Sequence, residues 1–337
     1  MSMIRPLSAL SLVAASALVL AGCASGDAEA ETTDEKTPAA EAPAEASEVT
    51  FTDNNGEHTI ELPIESVVAT DNRTFQTLDD WGIELTAAAR ALMPSTISYK
   101  DDESIIDLGV HNEPDLEAIV AADPDVVVNG QRFTQFHDKI AELVPDATIL
   151  ALDPREDESF DGELKRQVEV LGQIFGKEAE AEKIEADFDA AVERVKAAYD
   201  TEDTVMSVIT SGGEIGYSAP GNGRTFGPLY DLLGLTPALE VDESSTDHQG
   251  DDISVEAIAA SNPDWILVMD RDAAILADDP EYVPGAEVIE ASEPLENVTA
   301  VQDAQIVYMP ADTYTNESIQ TYTEFLNELA DALEAAA

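Results

Sequence analysis

Residues 116–132 run Leu-Glu-Ala-Ile-Val-Ala-Ala-Asp-Pro-Asp-Val-Val-Val-Asn-Gly-Gln-Arg, and residues 255–271 run Val-Glu-Ala-Ile-Ala-Ala-Ser-Asn-Pro-Asp-Trp-Ile-Leu-Val-Met-Asp-Arg. In both copies a Glu stands seven residues before the Pro, and an Arg stands eight residues after it. Each copy predicts a short helix followed by an apolar strand of the kind found in parallel sheets. A unit that occurs twice predicts an α/β protein with two related lobes.

The charge of the chain makes the arginines of this repeat informative. The 337 residues carry a formal net charge of −55, which argues against nucleic acid or an anionic membrane surface as a partner. After Lys196 the only basic side chains are Arg224 and Arg271, against 29 Asp and Glu. Arg271 ends the second repeat and Arg132 ends the first. A cation kept at the same place in both halves predicts an anionic ligand held between them.

The N-terminus predicts a targeting segment. Arg5 precedes an apolar run over 7–20 that is too short for an ordinary membrane span. The run ends in Leu-Ala-Gly-Cys at Cys23, the only cysteine, which resembles the bacterial lipobox, in which the cysteine is lipidated. We therefore expect a lipoprotein signal peptide over 1–22 and a lipid anchor at the outer face of the cell membrane, or in the periplasm of a Gram-negative host. The alternative is an ordinary signal peptide with an incidental cysteine.

The rest of the chain divides by composition and periodicity. Residues 23–48 are acidic and contain no large apolar side chain, which predicts a disordered tether. We expect an N-terminal α/β lobe over 49–160, a linking helix region over 161–200 and a C-terminal α/β lobe over 201–337. The long linking helix is predicted by apolar residues at alternating spacings of three and four: Ala181, Ile184, Phe188, Ala191 and Val195.

These features together resemble the substrate-binding proteins of iron–siderophore and cobalamin ABC importers, in which one long α-helix joins two lobes. The resemblance covers nearly all of 49–335 and is strongest to the subgroup that binds ferric catecholate siderophores such as petrobactin. That subgroup has a glycine-rich segment leading to an Arg-Phe-Gly stretch, which corresponds here to 211–227. The resemblance implies two mainly parallel sheets flanked by helices, with the ligand cleft between the lobes.

The resemblance also implies which residues bind the ligand. Arg132, Arg224 and Arg271 match the family's three cleft arginines, and Arg73 is a fourth candidate. Arginine is always charged and stacks on aromatic rings, so it suits an anionic catecholate complex. Thr225 is an extra residue between the Arg and the Phe of the motif, which leaves the direction of Arg224 open. The alternative is that these arginines only pair with neighbouring carboxylates.

His248 and Tyr314 match positions at which related proteins complete the coordination of iron when the siderophore supplies four donors. Imidazole and phenolate both suit Fe(III). The alternative for His248 is a solvated loop residue. Glu117 and Glu256 occupy equivalent points of the two repeats and match glutamates that dock onto arginines of the membrane permease; the alternative is two exposed helix residues.

We therefore expect an extracellular lipoprotein that captures an anionic ferric siderophore as a monomer and delivers it to the permease and ATPase of an ABC importer. No intrinsic cofactor is expected, because the iron–siderophore is the cargo. Haem is the alternative ligand, since its propionates also suit arginines. The sequence lacks the HExxH, P-loop, GxSxG and Rossmann motifs, so an enzyme is not expected.

Overall fold

The structure is a computed structural model that describes residues 47–241 and 244–337. The predicted signal peptide, Cys23 and almost all of the predicted tether lie outside the described residues. The described residues form one compact unit, which contains two separate larger sheets. The prediction of two α/β lobes is confirmed, because each of those sheets is flanked by helices.

The first lobe is built around a five-stranded, fully parallel sheet with the order β5-β4-β3-β8-β9. An antiparallel hairpin of β1 and β2 precedes it, and the short pair β6–β7 lies beside it. The elements are β1 (Glu48–Asp53), β2 (Gly56–Glu61), β3 (Val67–Ala69), α1 (Phe75–Asp80), β4 (Ala87–Ala88), β5 (Ile106–Asp107), β6 (Gly109–Val110), β7 (Glu113–Pro114), α2 (Leu116–Ala122), β8 (Val126–Asn129), α3 (His137–Leu143) and β9 (Thr148–Ala151).

The region predicted to link the lobes consists of two helices, α4 (Phe160–Phe175) and α5 (Glu178–Ala198). Gly176 separates them, with a left-handed φ of 63° that a glycine adopts without strain. Helix α4 is attached to the first lobe through hydrogen bonds such as the one from Gln167 Nε2 to Asp71 Oδ2. Helix α5 therefore makes the connection to the second lobe.

The second lobe contains a sheet with the order β11-β10-β13-β14, in which β12 also pairs with β10. Only β11 is antiparallel to its neighbour. The elements are β10 (Thr204–Ser211), β11 (Glu214–Tyr217), α6 (Gly227–Leu233), β12 (Thr236–Pro237), α7 (Val255–Ser261), β13 (Trp265–Asp270), α8 (Arg271–Ile275), α9 (Gly285–Glu290), α10 (Thr299–Gln302), β14 (Ile306–Tyr308) and α11 (Ile319–Ala336).

The repeated sequence unit forms equivalent structures, α2–β8 in the first lobe and α7–β13 in the second. Successive strand residues face opposite sides of a sheet, and both sides are covered. Val126 and Val128 join a core cluster that continues through α4, α5 and α11 into the second lobe, whereas Val127 packs on the other side against α2 and α3. Burial on both faces explains why these strands are continuous apolar runs.

The two lobes are held together at the start of α11 by hydrogen bonds between distant residues. Asn72 Nδ2 donates to the carbonyl oxygen of Thr315, and Asn316 Nδ2 donates to Gln76 Oε1, both at 2.9 Å. The side chains of Thr77 and Gln320 form a further pair. We call this segment, 312–320, the junction segment. Within the described residues, no helix is both long enough and apolar enough to cross a bilayer.

Candidate functional site

Arg132 and Arg271 lie at the same end of their sheets because each follows the last residues of its repeated strand. Strand β8 ends at Asn129, three residues before Arg132, and β13 ends at Asp270, directly before Arg271. Ligands of open α/β sheets bind beyond the carboxyl ends of the strands. The repeat therefore places one arginine from each lobe beyond the carboxyl end of its strand, where a ligand is expected to bind.

Tyr314 lies at the point where three arginines meet. The guanidinium carbons of Arg132, Arg224 and Arg271 lie 5.2, 5.0 and 4.8 Å from the centre of its ring. Each distance is within the range of a cation–π interaction. We call these four residues the arginine cluster. One of its arginines comes from the first lobe and two come from the second, so the cluster bridges the lobes.

The extra residue Thr225 does not turn Arg224 away from the cluster. Thr225 has φ 68°, which is unusual for a β-branched residue, and its side chain is buried. Because Thr225 takes this left-handed conformation, the extra residue leaves Phe226 in the core, and α6 begins at Gly227. The carbonyl oxygen of Arg224 accepts a hydrogen bond from Ser218 Oγ at 2.8 Å. The direction of Arg224, which the sequence left open, is therefore toward Tyr314.

Carboxylates contact two of the clustered arginines. Arg224 donates from a guanidinium nitrogen to Glu317 Oε2 at 2.7 Å, and Arg271 donates to Asp272 Oδ1 at 2.9 Å. Arg132 instead donates to Gln131 Oε1 at 2.6 Å. Among the described residues, no carboxylate oxygen lies within 4.0 Å of the Arg132 guanidinium, so its positive charge is the least compensated of the three.

Glu317 is a carboxylate of the site that accepts hydrogen bonds from three residues. It accepts hydrogen bonds from Arg224, from Thr225 Oγ1 at 2.7 Å and from Gln131 Nε2 at 3.2 Å. Its side chain is 13% exposed. Gln131 belongs to the first lobe and the other two donors to the second, so Glu317 also joins the lobes.

Arg73 lies apart from the ring of Tyr314 and is engaged in ion pairs. Its guanidinium contacts Asp71 Oδ1 at 3.3 Å and forms a second ion pair with Asp153. Burial of the guanidinium opposes its charge, but Asp71 and Asp153 outweigh that effect and raise the pKa of Arg73. A ligand-binding role for Arg73 stays a prediction.

The environment of Tyr314 lowers the pKa of its phenol. Burial by itself opposes a phenolate, but hydrogen bonding and positive charge from Arg271 and Arg132 outweigh the burial. The pKa of Tyr314 is therefore lower than that of an ordinary tyrosine. Such a phenol is chemically suited to bind a hard cation such as Fe(III), and iron binding by Tyr314 stays a prediction.

His248 stands beside the arginine cluster on an exposed loop. Its ring centre is 6.4 Å from that of Tyr314, and 47% of its side chain is exposed. Within the described part of the chain, no group of three or more His, Cys, Asp and Glu side chains is arranged to hold a metal ion. A role of His248 as an iron ligand therefore requires a ligand that brings its own donors, and it stays a prediction.

A cavity of about 930 Å³ adjoins the arginine cluster but does not contain it. It lies between α1 and the segment 93–100 on one side and α8 and the junction segment on the other. Its walls carry several carboxylates and one lysine. An anionic ligand is better matched by the arginine cluster, so we place the site there on the chemistry of the side chains rather than on cavity size.

Glu117 and Glu256 occupy matching positions on the surface, distant in sequence but equivalent in structure. Each is the second residue of its helix, α2 or α7, and both are exposed. The helices begin alike, because Asp115 and Ser254 each accept a hydrogen bond from the backbone N–H three residues later. The docking role predicted for these glutamates stays a prediction.

Several residues of the site were not identified from the sequence. Gln131, Asp272, Glu317 and Ser211, which accepts a hydrogen bond from Arg271 at 3.1 Å, all contact the cluster. Asp272 and Gln131 are chain neighbours of arginines that the sequence predicted for the site, and this adjacency is a weak signal that they contact the ligand site too. Glu317 is one of 71 acidic residues, and nothing in its local sequence distinguishes it.

The fold and the site define a two-lobed binding protein with a cationic cluster where the lobes meet. The profile of the periplasmic binding protein family matches residues 67–313, and the chain belongs to that family. Membership confirms the expectation of a solute-binding protein rather than an enzyme.

Similar proteins are found among both curated sequences and solved structures. The chain is 27% identical over 287 residues to the petrobactin-binding protein YclQ of Bacillus subtilis, covering 84% of this chain and 86% of that one. It is 26% identical over 282 residues to the ferric-anguibactin-binding protein FatB of Vibrio anguillarum, covering 82% and 84%. The crystal structure of the catecholate-siderophore binding protein VctP of Vibrio cholerae superimposes with a TM-score of 0.71, at 22% identity, over 86% of this chain and 99% of that one.

Proposed function

We propose that this protein captures a ferric siderophore of the catecholate type at the arginine cluster and delivers it to an ABC importer for iron uptake. The observation that carries the proposal is the convergence of Arg132, Arg224 and Arg271, from both lobes, on Tyr314. Planar guanidinium groups bind the negative oxygens of a catecholate complex and stack on its rings. The related YclQ and FatB are named for petrobactin and ferric anguibactin.

Unpaired donors in the cluster support the same conclusion. The buried Nε atoms of Arg224 and Arg271 have no hydrogen-bond partner among the described residues. A buried donor without a partner costs about 1–3 kcal/mol. A bound ligand that supplies acceptor oxygens would remove this cost if the guanidinium groups turned toward it.

Haem was the alternative ligand, and the comparisons favour the siderophore. YclQ and FatB are named for petrobactin and ferric anguibactin, and neither ligand is haem. The proposal is tested by fluorescence-quenching titration of the purified protein with a ferric tricatecholate, a ferric dicatecholate and haem. Saturable quenching by a ferric catecholate and none by haem is expected. Binding of haem alone would overturn the proposal.

We also propose that Glu117 and Glu256 contact the permease. Their support is the matched placement on α2 and α7, which gives one exposed carboxylate on each lobe. Two charges fixed on a rigid two-lobed body suit a partner with two complementary cations. The protein would act as a monomer in this arrangement.

We propose in addition that Cys23 carries a lipid that tethers the protein to the membrane. The support is the Leu-Ala-Gly-Cys segment at the end of an apolar run. Mass spectrometry of the protein from membranes tests this. A diacylglyceryl mass on an N-terminal Cys23 is expected, and a soluble product cleaved elsewhere would contradict it.

A further inference from the structure

Although the site is rich in arginine, most of its positive charge is compensated by carboxylates. Arg73 pairs with Asp71 and Asp153, Arg224 pairs with Glu317, and Arg271 pairs with Asp272. With Arg132 included, the site therefore contains four arginines and four carboxylates. Arg132 is the arginine whose charge has no carboxylate in contact among the described residues.

Two of these carboxylates, Asp272 and Glu317, lie beside the Tyr314 ring, because each pairs with an arginine of the cluster. Asp71 and Asp153 instead pair with Arg73. Asp272 is held by donors of the second lobe, Ser211, Gly212 and its chain neighbour Arg271. Glu317 comes from the junction segment and compensates Arg224, whose guanidinium carbon lies 5.0 Å from the Tyr314 ring centre. Its negative charge is therefore placed beside the position at which an anionic ligand would bind.

The position of Glu317 is defined by three donors from both lobes. Arg224, Thr225 and Gln131 hold both of its carboxylate oxygens, and the side chain is largely buried. Partial burial strengthens charge interactions relative to water. A fixed carboxylate at this place lowers the affinity for every anionic ligand, and the reduction grows with the charge of the ligand.

We infer that Glu317 is a specificity-determining residue that limits the charge of the ligand. This inference rests on the proposed function. It deepens that function by naming the preferred class: ferric complexes of low negative charge, such as an iron bound by two catecholates, over the trianionic complex with three catecholates. Fe(III) with two catecholate dianions carries one negative charge, against three for the complex with three catecholates, and Arg132 is the arginine of the cluster that no carboxylate contacts among the described residues.

The test compares the wild-type protein and Glu317→Gln with three probes. These are a neutral ferric trihydroxamate, an equimolar ferric complex of a linear dicatecholate, and a ferric tricatecholate, each titrated by fluorescence quenching. Glutamine keeps the shape of the side chain and its hydrogen-bonding capacity while removing the charge. Glu328→Gln on the exposed face of α11 is the matched control, because it removes the same charge away from the cluster.

In the variant, the affinity should rise roughly threefold per unit of ligand charge, hence by about thirtyfold for the trianion, with no change for the neutral complex. A change of equal size for all probes would overturn the inference, because it would show that Glu317 only positions Arg224. Unchanged affinities would overturn it as well.

The wild-type protein provides a measurement that does not depend on folding of the variant. The dicatecholate complex should bind at least as tightly as the tricatecholate, and a strong preference for the trianion would overturn the inference. If no ferric catecholate bound the wild-type protein, the proposed function itself would fail, which is a distinguishable result.

Discussion

The guanidinium carbon of Arg271 lies 4.8 Å from the centre of the Tyr314 ring. Arg271 directly follows β13, and Tyr314 follows β14, the parallel neighbour of β13 in the sheet. Their proximity is therefore a consequence of strand pairing in the second lobe. Arg132 reaches the same ring from the first lobe, at 5.2 Å. Tyr314 thus marks the place where the repeated units of the two lobes meet.

Replacement of Arg132 or Arg271 by Ala should weaken the binding of a ferric catecholate. Each change removes a cation from the cluster, and we expect a loss of about 2 kcal/mol, or roughly thirtyfold in Kd. Replacement by Lys instead of Ala should retain only part of the affinity, because lysine lacks the planar guanidinium group with its paired N–H donors. Arg194→Ala is the control, since Arg194 pairs with Asp331 and Glu334 on the helices away from the cluster. Unchanged affinity of both cluster variants would contradict the proposed site.

The ionisation of Tyr314 should depend on Arg271. Arg271→Ala should raise the pKa of Tyr314 toward its ordinary value, because a stabilising cation is removed. The ultraviolet absorbance of the phenolate, measured against Tyr314→Phe, follows this titration. An identical titration with and without Arg271 would show that the arginine does not act on the phenol.

The lowered pKa of Tyr314 also predicts a dependence of stability on pH. A depressed pKa means that the folded state binds the phenol proton less tightly than the unfolded chain does. The linked stability is present above the ordinary tyrosine pKa and is lost as the pH falls through the folded pKa of Tyr314. The difference in unfolding free energy between the wild type and Tyr314→Phe should therefore grow at alkaline pH. Denaturant titrations at several alkaline pH values measure this difference, and a difference constant with pH would contradict the linkage.

Arg73→Met should lower the free energy of unfolding by more than it lowers the free energy of binding a ferric catecholate. The substitution leaves Asp71, which is 1% exposed, without its cationic partner. Breaking a buried ion pair in this way costs about 3 kcal/mol. Arg132→Met is the matched control, because no carboxylate of the described residues contacts Arg132 and its loss should lower the unfolding free energy less. Chemical denaturation of both variants measures the loss of unfolding free energy. Equal losses in the two variants would contradict the structural role of Arg73.

The double variant Glu117→Ala and Glu256→Ala should block iron uptake while binding of the ferric siderophore stays unchanged. The two carboxylates lie in the first turns of α2 and α7, and neither contacts the arginine cluster. Uptake of radiolabelled iron by cells that express the variant measures the effect. Glu287→Ala is the control, since Glu287 is an exposed acidic residue in the first turn of α9. Normal uptake by the double variant would exclude the docking role.

The sequence predicted the parts of the fold that depend on local pattern. The strands β8 and β13 and the long helix α5 all lie within a few residues of their expected positions. Between β8 and β9 the chain forms a 3₁₀ turn over Gln131–Phe136, and α3 starts only at His137. The very short strands β4, β5, β6 and β7 were not anticipated, because two-residue strands carry no periodicity.

The sequence by itself determined that two equivalent α/β units place Arg132 and Arg271 at the carboxyl ends of their sheets. This was possible because strand direction and side-chain alternation are local properties of the chain. Only the tertiary structure decided that Arg224 turns toward Tyr314, that Arg73 pairs with two aspartates, and that Glu317 lies within the cluster. These contacts join residues far apart in the chain, and they depend on how the two lobes pack around α5 and α11, which no local pattern of residues specifies.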